Sequence, residues 1–220
     1  MTSKRKLNTY HLVIYTIIFF AIWSIRELII RPLFLNSLDA VMFQVVESLM
    51  KLLVWTLPAM LLIRHFHDDM WIGLKEMFAT KPKWFKDAPI LLLVFVPVLQ
   101  AWAAFGGLAI HPELTPIRFI GSVVFVGITE EIVFRGFLLN AFLKRMNMHS
   151  AIALDAVLFT LIHYPIWIYR GLDLVTIATS SIFVALLSVF FAYSFIKTRN
   201  IFVPIALHML WNLLTGLFFG

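Results

Sequence analysis

The chain has 220 residues, 61% of them hydrophobic and only 14% charged, against about 45–50% apolar and about 25% charged in soluble domains. That composition excludes an ordinary soluble domain and predicts an all-α polytopic membrane helix bundle, because a backbone in lipid must satisfy its own hydrogen bonds. The net charge of +6 would suit a nucleic-acid binder, but in a membrane chain it marks cytoplasmic connections, so no nucleic-acid partner is expected; the lack of cysteine removes disulfides, thiolate catalysis and cysteine metal ligands.

Lys4, Arg5 and Lys6 precede the first apolar run in the manner of a signal peptide. The run is long and no small-residue cleavage site follows, so it reads as an uncleaved span over 10–31. A second span covers 39–63 and carries Glu47 and Lys51, four residues apart on one helical face, which reads as a structural ion pair. The basic connection at about 64–87 follows, with Pro82 and Pro89 punctuating its end. In it, Met70-Trp71-Ile72-Gly73-Leu74 is predicted to lie along the interface as a short amphipathic helix. His65, His67, Asp68 and Asp69 are too loosely spaced for a metal motif and read as a solvated loop. Further apolar segments at 88–110, 118–143, 149–169, 173–197 and 201–219 bring the total to about seven transmembrane helices, each near the roughly 20 residues that cross a bilayer. The chain therefore divides into N-terminal transmembrane helices, 1–110, and a second part, 111–220, that holds the candidate catalytic helices.

With the N-terminus inside, Lys4, Arg5, Lys6, Arg64, Lys75, Lys81, Lys83, Lys86, Lys144, Arg145, Lys197 and Arg199 fall on the inner side. Arg26, Arg31, Arg118 and Arg170 fall at outer ends, so the N-terminus is expected to be cytoplasmic. Trp71, Trp84, Trp167 and Tyr169 suit the interfacial belt, and the remaining histidines, including His11, His111 and His149, lie near span ends or in loops.

Ionisable residues inside an apolar span are expensive and point to function. Thr129-Glu130-Glu131-Ile132-Val133-Phe134-Arg135-Gly136 puts three of them in the fourth span. Glu131 and Arg135 are four apart in the favourable order and read as an intrahelical salt bridge. Glu130 points about 100° away from Glu131 and lacks that partner, the condition of a general base. Asp155, near the inner end of the fifth span, reads as reaching the interface. His163 lies deeper in that span, and His208 and Asn212 share one face of the last. Each alone is explicable as helix-to-helix packing. Together they can converge a carboxylate, two imidazoles and a carboxamide.

Such a set suits peptide-bond hydrolysis without a covalent intermediate. The carboxylate takes a proton from water, histidine orients that water or moves the proton, and a carboxamide with a histidine N–H stabilises the oxyanion. Glu130, His163 and His208 also make a plausible catalytic zinc set with one open position. Metal-bound and base-activated water are both compatible with the residues. Neither a His-Glu-x-x-His zinc motif nor a Gly-x-Ser-x-Gly nucleophile elbow occurs.

Glu130-Glu131-x-x-x-Arg135, then Phe159-x-x-x-His163, then His208-x-x-x-Asn212, in that order on late spans, resembles the CPBP family. These are the CAAX-protease and bacteriocin-processing (Abi) intramembrane proteases, including those like CAAX prenyl protease 2. The resemblance covers roughly 118 to 215 and includes Phe134-Arg135-Gly136 after the glutamates. It implies an intramembrane endopeptidase with Glu130 as the activating glutamate, His163, His208 and Asn212 as further catalytic positions, and Glu131 and Arg135 in support. It implies a peptide or lipidated-peptide substrate taken from the bilayer and, by the habit of its bacterial relatives, a bacterial cell membrane. Family members are described both as zinc metalloproteases and as metal-free enzymes, so a Zn2+ cofactor on Glu130, His163 and His208 is one of two alternatives. Two other functions are compatible with these residues: a non-catalytic bacteriocin self-immunity or scaffold protein, and a proton-coupled transporter, although no inverted repeat is visible.

Overall fold

The computed structural model describes residues 6–81, 89–107 and 115–219. Lys4, Arg5, Pro82, Lys83, Trp84, Lys86 and His111 lie outside the described residues. Among the described residues there is no strand, and the chain is an all-helical integral membrane protein. Its helices are α1 (Thr9–Leu33), α2 (Ala40–His65), the short α3 (Leu74–Ala79), α4 (Pro89–Phe105), α5 (116–143), α6 (Met148–Leu161), α7 (Tyr164–Tyr169), α8 (Leu174–Thr198) and α9 (Phe202–Phe219). Among the described residues, five helical stretches, α1, α2, α6 with α7, α8 and α9, are long and apolar enough to cross a membrane. The two other expected spans are helical as well. The helix α4 has 17 residues, and α5 is long but carries Arg118, Glu130, Glu131 and Arg135.

Helix starts follow from capping. Asp39, Asn147 and Asp173 each stand before the first turn and accept from backbone amides within it. Asn8 and His11 close a reciprocal capping box at α1. Hydrogen bonds from Thr176, through its hydroxyl and its amide, hold the Asp173 carboxyl below its usual range. At the other end of α8, Arg199 takes the left-handed conformation at φ 52° and terminates the helix.

Three helices widen where they carry charge. In α1 the Arg31 amide reaches back five residues to Arg26 O, and in α2 the Leu57 amide reaches Leu52 O. Pro32 and Pro58 stand just past these turns. A proline offers no N–H and crowds the carbonyl four residues back, which opens the preceding turn. In α5 the widened stretch that carries charge is Ile132–Leu139, which contains Arg135, and a further one, Phe119–Phe125, carries none. Widened turns of this kind recur at functional sites.

Aromatic rings fill the centre of the bundle rather than only its lipid face. Phe134 packs edge-on to Phe159 at 5.0 Å, Tyr15 to Phe137 at 4.8 Å, and Trp23 to Trp55 at 4.3 Å. Trp167, expected in the interfacial belt, is buried beside His163 and Tyr164. The helix α8 stands outermost, with Leu174, Val175, Ile182 and Leu186 turned outward. Close approach of α9 to α5 depends on Gly127, where a Cβ would lie 2.8 Å from Met209 Cγ and 3.5 Å from Ile205 O.

The segment expected to lie on the interface is instead a buried strap. Met70 and Ile72 are in the core. Asn140 accepts from the Ile72 amide at 2.9 Å and donates to Ile72 O at 2.9 Å, and Asn140 O accepts from the Trp71 amide. A side chain that satisfies both backbone groups of one residue pins the strap as a strand partner would. The neighbouring Asp69 carboxylate accepts from Leu7 N, and His67 pairs with Asp68, so these acids serve local structure. Arg145 spans the same corner, donating to Asp69 O and Leu7 O; burial lowers its pKa and the Asp69 charge opposes that shift.

Replacing Asn140 by leucine strands the Ile72 N–H and C=O in the core. A loss of about 2–5 kcal/mol is expected, from about 1–3 kcal/mol per stranded group, read by denaturant unfolding in detergent. Gly127→Val is expected to cost about 1–3 kcal/mol by overpacking, read as a lowered melting temperature.

Candidate active site

The site grows out of the middle of α5. Consecutive helical residues diverge by about 100°, so Glu130 and Glu131 face different neighbours. Glu131 is fully buried and meets Arg135 Nη1 at 3.0 Å, the expected i,i+4 pair. It also meets His208 Nδ1 on α9 at 2.8 Å. A carboxylate only accepts, so Nδ1 carries the proton in that bond. The imidazole is thereby fixed with Nε2 toward Glu130 Oε2, 3.9 Å away. Phe191 stacks on the same ring at 5.0 Å and Phe159 packs against its edge.

Arg135 anchors this arrangement. It donates to Ser188 O at 3.0 Å and Ser188 Oγ at 2.7 Å on α8, and its Nε lies 3.6 Å from Asp155 Oδ2 on α6. Its guanidinium lies between the rings of Phe159 and Phe191. Asp155 therefore belongs to the buried core and does not reach the interface: its Oδ2 lies 3.6 Å from Arg135 Nε and 3.5 Å from Ser188 Oγ inside the bundle.

Glu130 is not partnerless. Lys51 Nζ on α2 lies 3.5 Å from its Oε1 and 3.7 Å from Glu47 Oε1. The Glu47–Lys51 pair is thus more than a local support of its own helix: it reaches across to α5. Glu47 in turn pairs with Arg26, and Arg26 with Glu27. Arg31 Nε meets Glu27 at 2.8 Å. Arg26, read as an outer-end residue, is 1% exposed and inside the bundle. The charges on α1 have partners on α2 that linear spacing does not reveal.

His163 sits where α6 breaks from α7. Pro165, in the first turn of α7, cannot donate to Leu161 O four residues back, and the His163 amide turns to Thr160 O, three residues back. Ile162 O accepts from Trp23 Nε1 at 3.1 Å, tying α1 to the break. His163 Nδ1 donates to Phe159 O at 2.8 Å, leaving Nε2 as the accepting nitrogen. Glu130 and His163 line one cavity of about 150 Å³ with Glu27, Arg31, Glu47, Lys51, Trp23, Trp55, Ile162 and Ile166. That volume holds a few waters but is well below the about 300 Å³ of a small-ligand pocket.

Asn212 is placed differently. Its amide nitrogen donates to Ser122 O at 3.1 Å, two turns before Glu130 on α5. The structure thus brings Glu130 to His208 and, in one cavity, to His163, while Asn212 is engaged one turn further along α9. Lys51, Glu47, Glu27 and Arg31 were missed as site residues. The signal that could have found them is charge inside the first two apolar spans, which is as costly there as in the fourth.

Among the described residues, no three His, Asp or Glu side chains gather at a spacing that would hold a metal ion. The Glu130 carboxylate already faces an ammonium at 3.5 Å, which repels a divalent cation at the same group. As arranged, Glu130, His163 and His208 do not form a zinc site.

Arg135→Leu would leave Glu131 and Asp155 buried without their cation. A loss of about 3–5 kcal/mol is expected, measured by chemical unfolding in detergent, with Arg135→Lys recovering part of it.

Residues 112–214 match the family model described as Rce1-like, Type II CAAX prenyl endopeptidase Rce1-like. The match spans the three motifs and bears out the family resemblance of these late helices. Comparison with curated proteins and with solved structures gave no match.

Proposed function

We propose, from the likeness of residues 112–214 to type II CAAX prenyl endopeptidases, that this protein is an intramembrane endopeptidase. It hydrolyses a peptide bond in a membrane-associated or lipidated peptide with water activated by glutamate and histidine. The observation that carries this reading is the position of Glu130. It is a buried carboxylate on the wall of a small polar cavity, sharing that cavity with His163 and lying 3.9 Å from His208 Nε2.

Glu130 takes a proton from a cavity water as the water oxygen bonds to the scissile carbonyl carbon. The carbonyl π pair moves to oxygen, giving a tetrahedral oxyanion. As the oxyanion collapses, the C–N bond breaks and the proton passes to the departing amine. His163 Nε2 accepts a hydrogen bond from the attacking water and aims it. His208, oriented by Glu131 as a carboxylate orients a catalytic imidazole, presents Nε2 to Glu130 and moves the proton. Arg135 and Glu131 support that geometry. Asn212, whose amide holds α9 to α5, keeps His208 in register with α5. The ammonium beside Glu130 supports the metal-free alternative.

The cavity is too small for a peptide, so a substrate must part the helices around it. The ties on that side are Arg31 with Glu47 on α2 at 4.0 Å, and Asn36 with the Tyr169 hydroxyl at 2.6 Å. The excess of Lys and Arg on alternate connections supports a cytoplasmic N-terminus, in a bacterial cell membrane by analogy with the family's bacterial members.

The test is cleavage of a quenched fluorescent peptide with a prenylated CAAX C-terminus by purified protein in detergent. Glu130→Gln is expected to lower kcat by at least about 10²–10⁴-fold, the usual worth of a general base, in protein that remains folded. A zinc chelator is expected to leave the wild-type rate unaltered. Full cellular function in a Glu130→Gln strain would favour the non-catalytic immunity reading instead.

A further inference from the structure

Peptide hydrolysis needs a donor for the oxyanion as well as a base for the water. The carboxamide that sequence spacing offers for this task, Asn212, donates to Ser122 O. A second cation at the cavity wall is better placed. Lys51 Nζ lines the same cavity as Glu130 and His163. Its separations from Glu130 Oε1 and Glu47 Oε1, 3.5 and 3.7 Å, exceed the about 2.7–2.9 Å of a closed charge-assisted hydrogen bond. An ammonium has three N–H groups, and here they are attracted by two carboxylates without being saturated by them.

The surroundings hold the ammonium in place. Trp23 and Trp55 present their rings to Nζ at 5.4 and 5.3 Å, and these indoles pack on each other at 4.3 Å. Trp23 is itself tied to Ile162 O, next to His163. The lysine stem starts a widened turn of α2, and its tip is set by aromatic walls rather than by solvent. The charge is thus preorganised on one side of the cavity, close to the base and exposed to whatever binds between them.

We infer that Lys51 is a catalytic residue whose ammonium donates to the substrate carbonyl oxygen as Glu130-activated water attacks, stabilising the oxyanion. This rests on the endopeptidase reading above. A water hydrogen-bonded to Glu130 at about 2.8 Å can attack a carbonyl carbon whose oxygen lies within about 2.7–3.1 Å of Nζ, because base and donor are one ion-pair distance apart. Water loses its proton to Glu130, its oxygen bonds to carbon, and the carbonyl π pair becomes the oxyanion that Lys51 meets. When that pair returns to re-form C=O, the C–N bond breaks and the amine takes, by way of His208, the proton that Glu130 accepted. Lys51 donates hydrogen bonds throughout and is neither consumed nor deprotonated.

The chain contains no cysteine, so Lys51→Cys has one thiol, which 2-bromoethylamine converts to a side chain of lysine's length ending in an amine. The assay is the prenylated CAAX peptide cleavage described above. Lys51→Cys is expected to lower kcat about 10²–10³-fold, the usual effect of removing one oxyanion donor, with KM within about threefold because the contact forms in the transition state. Aminoethylation is expected to restore at least about tenfold of kcat, and alkylation with neutral iodoacetamide none. Wild-type kcat in Lys51→Cys overturns the inference. So does a folded, aminoethylated protein that regains nothing, or a loss confined to KM. If Lys51→Cys does not fold, Lys51→Arg decides: kcat within about tenfold of wild type supports the role, and an inactive but folded Lys51→Arg overturns it. Wild-type protein that fails to cleave while binding the peptide would instead count against the endopeptidase reading itself.

Discussion

An ionised group in the interior of a membrane protein persists only beside a compensating charge or donor, and this bundle meets that constraint with one continuous chain of pairs. Asp155 and Glu131 flank Arg135, Glu131 holds His208, His208 faces Glu130, Glu130 meets Lys51, and Lys51 and Arg26 share Glu47. These links cross from α6 and α5 through α9 to α2 and α1. Withdrawing α5 would leave Asp155 without its cation, and withdrawing α2 would take the ammonium from Glu130. The arrangement of the helices and the arrangement of the site are therefore one problem with one solution.

Each link also explains a local irregularity. The widened turns at Arg26 and Lys51 are products of Pro32 and Pro58, and the Arg135 turn widens α5 beside its buried guanidinium. The break before α7 follows from Pro165 and sets His163 at the cavity. Gly127 allows α9 close enough to α5 for His208 to lie between the two glutamates. Glu130 and Glu131, adjacent and chemically identical, take different tasks because one faces a cavity with Lys51 and the other a sealed Arg135–His208 contact. Environment, not residue type, separates the carboxylate at the cavity from the one sealed in the core.

The division of labour between Lys51 and Asn212 follows the same logic. A carboxamide spent on a backbone carbonyl is a tether between helices. An ammonium held by indole faces at ion-pair distance keeps donors available inside a small polar cavity. A preorganised charge in a site of low polarity acts on developing negative charge more strongly than it would in water.

Much of the fold was legible in the chain because hydropathy and helix length are local properties. The helices end within a few residues of the expected spans wherever they are described. The Glu131–Arg135 pair was legible for the same reason, since both partners lie on one helix. Illegible was every contact whose partners lie far apart in sequence: Lys51 with Glu130, Arg26 with Glu47, Asp155 with Arg135, Asn140 with the strap at Ile72. Periodicity shows which face of a helix a residue occupies. It carries no information on which other helix that face meets or at what height. Composition and spacing alone thus established a membrane bundle with reactive side chains on its late helices. Which charge neutralises which, and so which carboxylate is left facing the cavity, was set by the packing of α1 and α2 against α5, an outcome of the whole bundle's burial energy that no local stretch encodes.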